Sequence, residues 1–277
     1  MPALPDDIPE TVAIALREDV GTGDSTANLI PADSRITAHV ITREPAILCG
    51  TAWFDEVFRQ LDKTITISWS AHDSESIKNG QTICELAGNA RAILTGERTA
   101  LNFLQLLSGT ATSTHEYAEI LKEYNTKILD TRKTIPGLRT AQKYAVLCGG
   151  GKNHRMGLYD AILIKENHKL AAGSITAAIK ATKKQGVPIE TEVENLAELE
   201  QALAAGTDSV LLDNFDLDEL RQAVAINKGR VPLEASGGVD KEKLRAIAET
   251  GVDFISIGSL TKHVRAIDFS MRFTGDR

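Results

Sequence analysis

Five basic side chains, Arg132, Lys133, His154, Arg155 and Lys165, fall within the single stretch DTRKTIPGLRTAQKYAVLCGGGKNHRMGLYDAILIKENH, residues 130 to 168. Two of the groups follow directly on apolar runs: Ile128-Leu129 lies just ahead of the Asp130 to Lys133 cluster, and Ala161-Ile162-Leu163-Ile164 ends on Lys165. Cations at the ends of successive strands are what the mouth of an α/β barrel presents to a small anion. Arg contributes a planar fork and Lys a compact point charge, so the set suits carboxylates or phosphates. The plainer reading is a solvated loop whose charges pair within the chain. Lys165 at a strand end also fits a Schiff-base aldolase, which keeps its lysine there, but the crowd of anion binders around it favours anion binding.

Acidic and small residues end the later apolar runs. Glu192, Glu194 and Asp213 sit where a divalent cation such as magnesium could be held by a few carboxylates plus substrate phosphates. Their alternative is ion pairing with the cations above. Glu192 and Glu194 point to the same face of a strand, so alternation leaves open which of them reaches a ligand. Ser236-Gly237-Gly238 and Gly258-Ser259 form two successive small-residue turns after strands, where backbone N–H groups can approach a phosphate. Glycine would serve an ordinary strand-to-helix turn equally well. Gly149 to Gly151 follow a helical segment and read as its stop.

Composition narrows the partners. The chain has 277 residues, 42% apolar and 25% charged, with a net charge of -7; an acidic protein whose cations are concentrated in one place is no reader of nucleic acid. Cys49, Cys84 and Cys148 stand far apart with no CxxC pair, which fits a reducing compartment and makes cytoplasm the expected location. The acidic, amphipathic start MPALPDDIPETVAIALRED is unlike a signal peptide, and no apolar run is long enough to predict a membrane span.

The positioning elements follow from periodicity. Helices are predicted over Ile8–Leu16, Ala52–Leu61, Leu94–Leu107 and Leu138–Leu147, with a further helix over Ser113–Tyr124 after an SGTAT turn. Strands are predicted within Ile36–Leu48, broken by Pro45, and over Thr64–Trp69 and Thr82–Leu86. From Lys127 onward six strand-like runs alternate with helices, and each ends in polar residues. This predicts an α+β sandwich-like first domain, residues 1–112 with 266–277 as a candidate addition, followed by an incomplete parallel α/β barrel over 113–265. An open doubly wound sheet is the rival, but it would concentrate its site at one switch point, whereas here nearly every strand end is chemically equipped.

With these residues in view, the chain resembles the quinolinate phosphoribosyltransferase family, the carboxylating nicotinate-nucleotide pyrophosphorylases. The resemblance rests on REDVGTGDST, TGERTALNFLQLLSGTAT, DTRKTIPGLR, GGGKNHRMGLYDAILIKENH, EASGG and ISIGSLT, in order along nearly the whole chain. It implies transfer of phosphoribosyl from phosphoribosyl pyrophosphate to quinolinate with loss of CO2, with Mg2+, in an enzyme that works at least as a homodimer. It also implies that Arg132, His154, Arg155 and Lys165 face the two carboxylates of quinolinate, with Arg98 supplied by the neighbouring subunit. Lys133, Glu194, Asp213, Ser236, Gly237, Gly238, Gly258 and Ser259 would hold phosphoribosyl pyrophosphate and its metal, and Lys133, Lys165, Glu194 and Asp213 carry the implied catalytic roles. One departure is Asp73-Ser74, where the family often has an Asp-Gly turn.

Overall fold

The computed structural model describes residues 1–274. In chain order the elements are α1 (Ile8–Val20), β1 (Arg35–Thr42), β2 (Ala46–Ile47), α2 (Thr51–Leu61), β3 (Thr66–Trp69), β4 (Ser76–Ile77), β5 (Thr82–Asn89) and α3 (Ala90–Ile120). Next come β6 (Lys127–Leu129), α4 (Arg139–Cys148), β7 (Ile162–Ile164), α5 (Glu166–Ala172), α6 (Ile175–Thr182), β8 (Ile189–Val193) and α7 (Leu196–Ala205). The chain closes with β9 (Ser209–Asp213), α8 (Leu217–Asn227), β10 (Leu233–Ser236), α9 (Leu244–Ala248), β11 (Phe254–Ser256), α10 (Ser259–Lys262) and β12 (Phe269–Thr274). One compact unit comprises Met1–His115, Thr134–Gly150 and the chain from Leu260 onward; the other comprises Glu116–Lys133 and Gly151–Ser259. The units therefore exchange within α3, a few residues beyond the 112/113 division drawn from sequence, and the segment holding α4 belongs with the first.

The first unit is α+β. Its antiparallel sheet has the order β12-β1-β5-β3, and β1 alternates in burial along its second half, as a strand with one face on a core must. That core takes Trp53, Phe54, Val57 and Phe58 from α2 and Leu101, Leu104 and Leu107 from α3. The Phe54 ring meets those of Phe58 and Trp69 edge-on, at 5.1 and 5.2 Å. β12 pairs with β1, so the late segment does return to this sheet; residues 275–277 of the expected 266–277 addition lie outside the described residues. Ser74, in place of a turn glycine, is held at φ 73°, a conformation glycine adopts without strain.

One local expectation fails here. The SGTAT segment is not a turn, because α3 runs unbroken through it for 31 residues. The residue types that suggest a turn are satisfied inside the helix: the Thr110 and Thr114 hydroxyls donate to the carbonyls four residues back, at 3.2 and 2.8 Å. The Ser108 hydroxyl exchanges hydrogen bonds with the backbone of Cys49. Gly109 is required by a close approach, since a Cβ there would stand 2.2 Å from the carbonyl oxygen of Arg265.

The second unit carries the six parallel strands in the order β6-β11-β10-β9-β8-β7. Neighbours are consecutive from β7 to β11 and the first strand joins the last, the cyclic succession of a barrel without the reversal of a doubly wound sheet. No ladder joins β6 to β7 among the described residues; a single bridge, Leu129 to Lys152, lies beside β6. The barrel is therefore incomplete, as predicted. Alternation places Glu190, Glu192, Ser209, Asp213, Glu234 and Ser236 on one face of these strands, while Val193, Val210, Leu212, Leu233, Ala235 and Ile255 bury the other. Helix starts are set locally: Asn195 caps α7, and Asp216 with Glu219 forms a capping box on α8.

Candidate active site at the carboxyl ends of the parallel strands

The residue just past β7 and the carboxyl end of β8 meet through Lys165, whose Nζ lies 2.9 Å from Glu192 Oε2. The Lys165 backbone N–H donates to His168 Nδ1 at 3.0 Å, which anchors the lysine at the base of α5. Asp213, the last residue of β9, feels the same group of charges. Burial and then the Glu192 carboxylate push its pKa above the usual carboxylate range, against the pull of Lys165 and Lys133. Lys133 in turn lies over Gly258, where a Cβ would come within 2.9 Å of its Cδ. At the end of β10, Gly237 holds φ 112° and a Cβ there would meet Asn214 Oδ1 at 2.2 Å. Asn214 itself donates to Asp213 Oδ2 at 2.9 Å. Small residues thus let Lys133 and Asn214 approach the backbone closely. The carboxylate oxygens are too few to enclose an ion alone, which fits a hard cation carried by phosphates, such as magnesium.

Beside this group stand two guanidiniums. Arg155 lies close enough to Arg132 that, after burial, the neighbouring charge is the next cause lowering its pKa; Glu190 and Asp160 work the other way. Arg155 Nη1 donates to the Ala161 carbonyl at 3.1 Å. Arg132 Nε is buried with no hydrogen-bond partner among the described residues. A buried donor left unsatisfied costs about 1–3 kcal/mol, so the site is built for an acceptor brought by a ligand.

His154 stands beside Arg155, and Glu190 acts on both. Its Nδ1 accepts the Arg155 backbone N–H at 2.7 Å, which leaves the ring proton on Nε2. Nε2 lies 2.7 Å from Glu190 and 3.5 Å from Glu234. Glu190, Ser209, Glu234 and Phe254 are each the first or second residue of their strands, and with His154 they line a recess of about 230 Å³. Burial first, and then Glu190, push Glu234 up to about 7, opposed by His154 and a hydrogen bond from Ser256.

With this geometry in hand, relatives give the family. Residues 23–108 match the description "Quinolinate phosphoribosyl transferase, N-terminal domain" and residues 110–272 match "Quinolinate phosphoribosyl transferase, C-terminal domain". The chain belongs to the quinolinate phosphoribosyltransferase family. A probable carboxylating nicotinate-nucleotide pyrophosphorylase of Bacillus subtilis is 43% identical over 93% of this chain and 90% of its own length. The mitochondrial decarboxylating quinolinate phosphoribosyltransferase 2b of Nicotiana tabacum is 38% identical over 96% of this chain and 82% of its own. The solved nicotinate-nucleotide pyrophosphorylase of Francisella tularensis superposes with a TM-score of 0.94 at 53% identity, covering 98% of both chains.

Of the positions that the family resemblance nominated, most lie in the second unit near its strand ends, while Glu194, His154 and Arg98 stand apart from that group. Arg132, Lys133, Lys165, Asp213, Ser236, Gly237, Gly238, Gly258 and Ser259 lie at or just past the carboxyl ends of the second unit's strands, while Arg155 lies in the loop before β7, against the Ala161 carbonyl and near Arg132. Glu194 does not join them: it is exposed one residue past β8, and its backbone N–H is taken up by Glu198. Glu192, still within the strand, is the carboxylate that reaches Lys165, and of the two it is the one beside the cations. His154 pairs with Glu190 and Glu234 near the strand starts. Arg98 lies exposed on α3 in the first unit. Sequence reading gave no role to Glu190, Glu234 or Asn214, and named Asp130 only within the charged cluster after Leu129. The even spacing of Glu190, Glu192 and Glu194 was the available signal for the first; the others have no local pattern.

Proposed function

We infer that this protein transfers the phosphoribosyl group of phosphoribosyl pyrophosphate to quinolinate with loss of CO2, giving nicotinate mononucleotide and pyrophosphate for NAD biosynthesis. The observation that carries this reading is the Arg132–Arg155 pair. Two adjacent guanidiniums, one with a buried donor awaiting an acceptor, match two adjacent carboxylates on one ring better than the single carboxylate of nicotinate.

The chemistry follows from charge. As the C1–O bond of the sugar breaks, negative charge grows on pyrophosphate and positive charge on the ring carbon. In this reading Lys133, above Gly258, would meet the phosphates and Lys165 the acceptor carboxylates, while Asp213 and Glu192, which is paired with Lys165, would be the carboxylates available to a metal. Magnesium, when bound, would neutralise the diphosphate as it leaves. Arg132 and Arg155 hold the acceptor so that its ring nitrogen bonds C1. The nitrogen then becomes cationic, so the electron pair left when the neighbouring carboxylate departs as CO2 is stabilised, and a proton replaces the carboxylate. No side-chain nucleophile is needed; positioning and fixed charge supply the catalysis.

The enzyme is further proposed to be a homodimer in the cytoplasm, with Arg98 of one protomer completing the site of its partner. No helix among the described residues is long and apolar enough to cross a membrane. The decisive experiment follows release of labelled CO2 from the 2-carboxylate of quinolinate, with phosphoribosyl pyrophosphate and magnesium, against nicotinate as acceptor. Release requiring all three components is expected, with nicotinate a poor substitute. Equal turnover of nicotinate would overturn the two-carboxylate assignment.

A further inference from the structure

Arg132 and Arg155 come from different loops and repel each other, so something must hold those loops together. The segment carrying Arg155 follows Gly149-Gly150-Gly151 and is registered on β6 by one bridge, in which Lys152 N–H donates to the Ile128 carbonyl at 2.8 Å and Asp130 N–H to the Lys152 carbonyl at 3.1 Å. Beyond that bridge the connection passes to a side chain. Asp130, fully buried directly after β6, accepts the Asn153 side-chain amide on Oδ2 at 2.6 Å and the His154 backbone N–H on Oδ1 at 2.9 Å. The far side of the loop is gathered separately by Asp160, which accepts the backbone N–H groups of Met156 and Gly157 at 2.7 and 3.0 Å.

We propose that Asp130 is a positioning residue: standing two residues before Arg132 and clamping Asn153 and His154, the two residues before Arg155, it sets the spacing of the guanidiniums that receive the two neighbouring carboxylates of quinolinate. It touches no substrate and acts through the two arginines. The proposal rests on the quinolinate reading above.

The chemistry of the clamp suggests its own test. In Asp130→Asn one acceptor oxygen becomes an NH2 group, which must face either the Asn153 amide or the His154 N–H, donor against donor. The double variant Asp130→Asn/Asn153→Asp restores both bonds, because the new amide donates to the new carboxylate while its oxygen keeps the His154 N–H. Asn153→Ala removes one bond and leaves the buried carboxylate in place, which guards against a single variant that fails to fold. Quinolinate binding would be measured by calorimetry, and KM for each substrate by CO2 release.

Wild type should bind quinolinate. Asp130→Asn should lose about 10- to 100-fold in quinolinate affinity and kcat/KM, the scale set by misplacing a binding group by about 1 Å, with KM for phosphoribosyl pyrophosphate changed less than about threefold. Asn153→Ala should move in the same direction by a smaller factor, and the double variant should return most of the loss. Near-wild-type quinolinate binding in Asp130→Asn, or a loss that the double variant does not restore, overturns the clamp. A wild type that binds no quinolinate overturns the substrate reading itself, and is told apart because no variant is needed to see it.

Discussion

Glu192 and Glu194 share a face in sequence but not an environment, and exchanging each for glutamine separates their roles. Lys165 Nζ stands 2.9 Å from Glu192 Oε2, with Lys165 half exposed and Glu192 mostly buried. Unit charges at that distance attract by about 6 kcal/mol at an effective dielectric constant near 20. Solvent around Lys165 and the entropy of fixing its side chain reduce the net contribution to folding to at most about 1 kcal/mol. Glu192→Gln should therefore leave urea unfolding almost unchanged. Its effect on rate should be much larger, because a fixed charge aimed at developing charge in a site contributes about 3–4 kcal/mol, or 10²–10³ in kcat. Glu194 is exposed, and the hydrogen bond recorded there uses its backbone N–H, which glutamine retains. Glu194→Gln should fall within a factor of about three of wild type. The assay is CO2 release under saturating substrates, alongside urea unfolding of each variant. If Glu194→Gln loses activity and Glu192→Gln does not, the assignment of the strand-end carboxylate is wrong.

Arg155→Ala should weaken quinolinate binding by about 2–3 kcal/mol, the cost of an unpaired charge-assisted contact, with little change for phosphoribosyl pyrophosphate; calorimetry showing the opposite would move Arg155 to the phosphates. Gly109→Ala should destabilise the first unit by several kcal/mol although alanine is the better helix former, because its Cβ would stand 2.2 Å from the Arg265 carbonyl; a raised melting temperature would refute that packing. Glu234 is pushed up to about 7 in the fold, so the stability it contributes is complete below the ordinary glutamate range and is lost as pH rises toward 7. Glu234→Gln should flatten the fall in melting temperature between pH 5 and 8, and an unchanged slope would show that this carboxyl does not titrate there. In mixtures of Arg98→Ala with Lys165→Ala, random exchange makes half the dimers mixed with one intact site of two, so about a quarter of wild-type activity should return; mixed dimers without activity would place Arg98 outside the partner's site.

Much of this protein is legible in its sequence because the signals are local. Period-two and helical patterns mark the barrel strands and most of the helices, and a strand end followed by Arg132-Lys133 or by Lys165 declares an anion site through chemistry that adjacent residues carry together. Three matters were decided by tertiary structure. Ser108 to Thr112 look like a turn by residue type, but their hydroxyls are taken up by the Cys49 and Ile47 backbone and by the helix's own Leu106 carbonyl, so α3 continues. Glu192 and Glu194 are equivalent by alternation; the difference is that β8 ends at Val193, leaving one in the strand and the other in solvent. His154 is a basic residue in a basic stretch, yet Glu190 and Glu234, 36 and 80 residues away along the chain, capture its ring. Sequence fixes which groups a strand end can offer, but register, strand length and long-range partners determine which of them face the substrate.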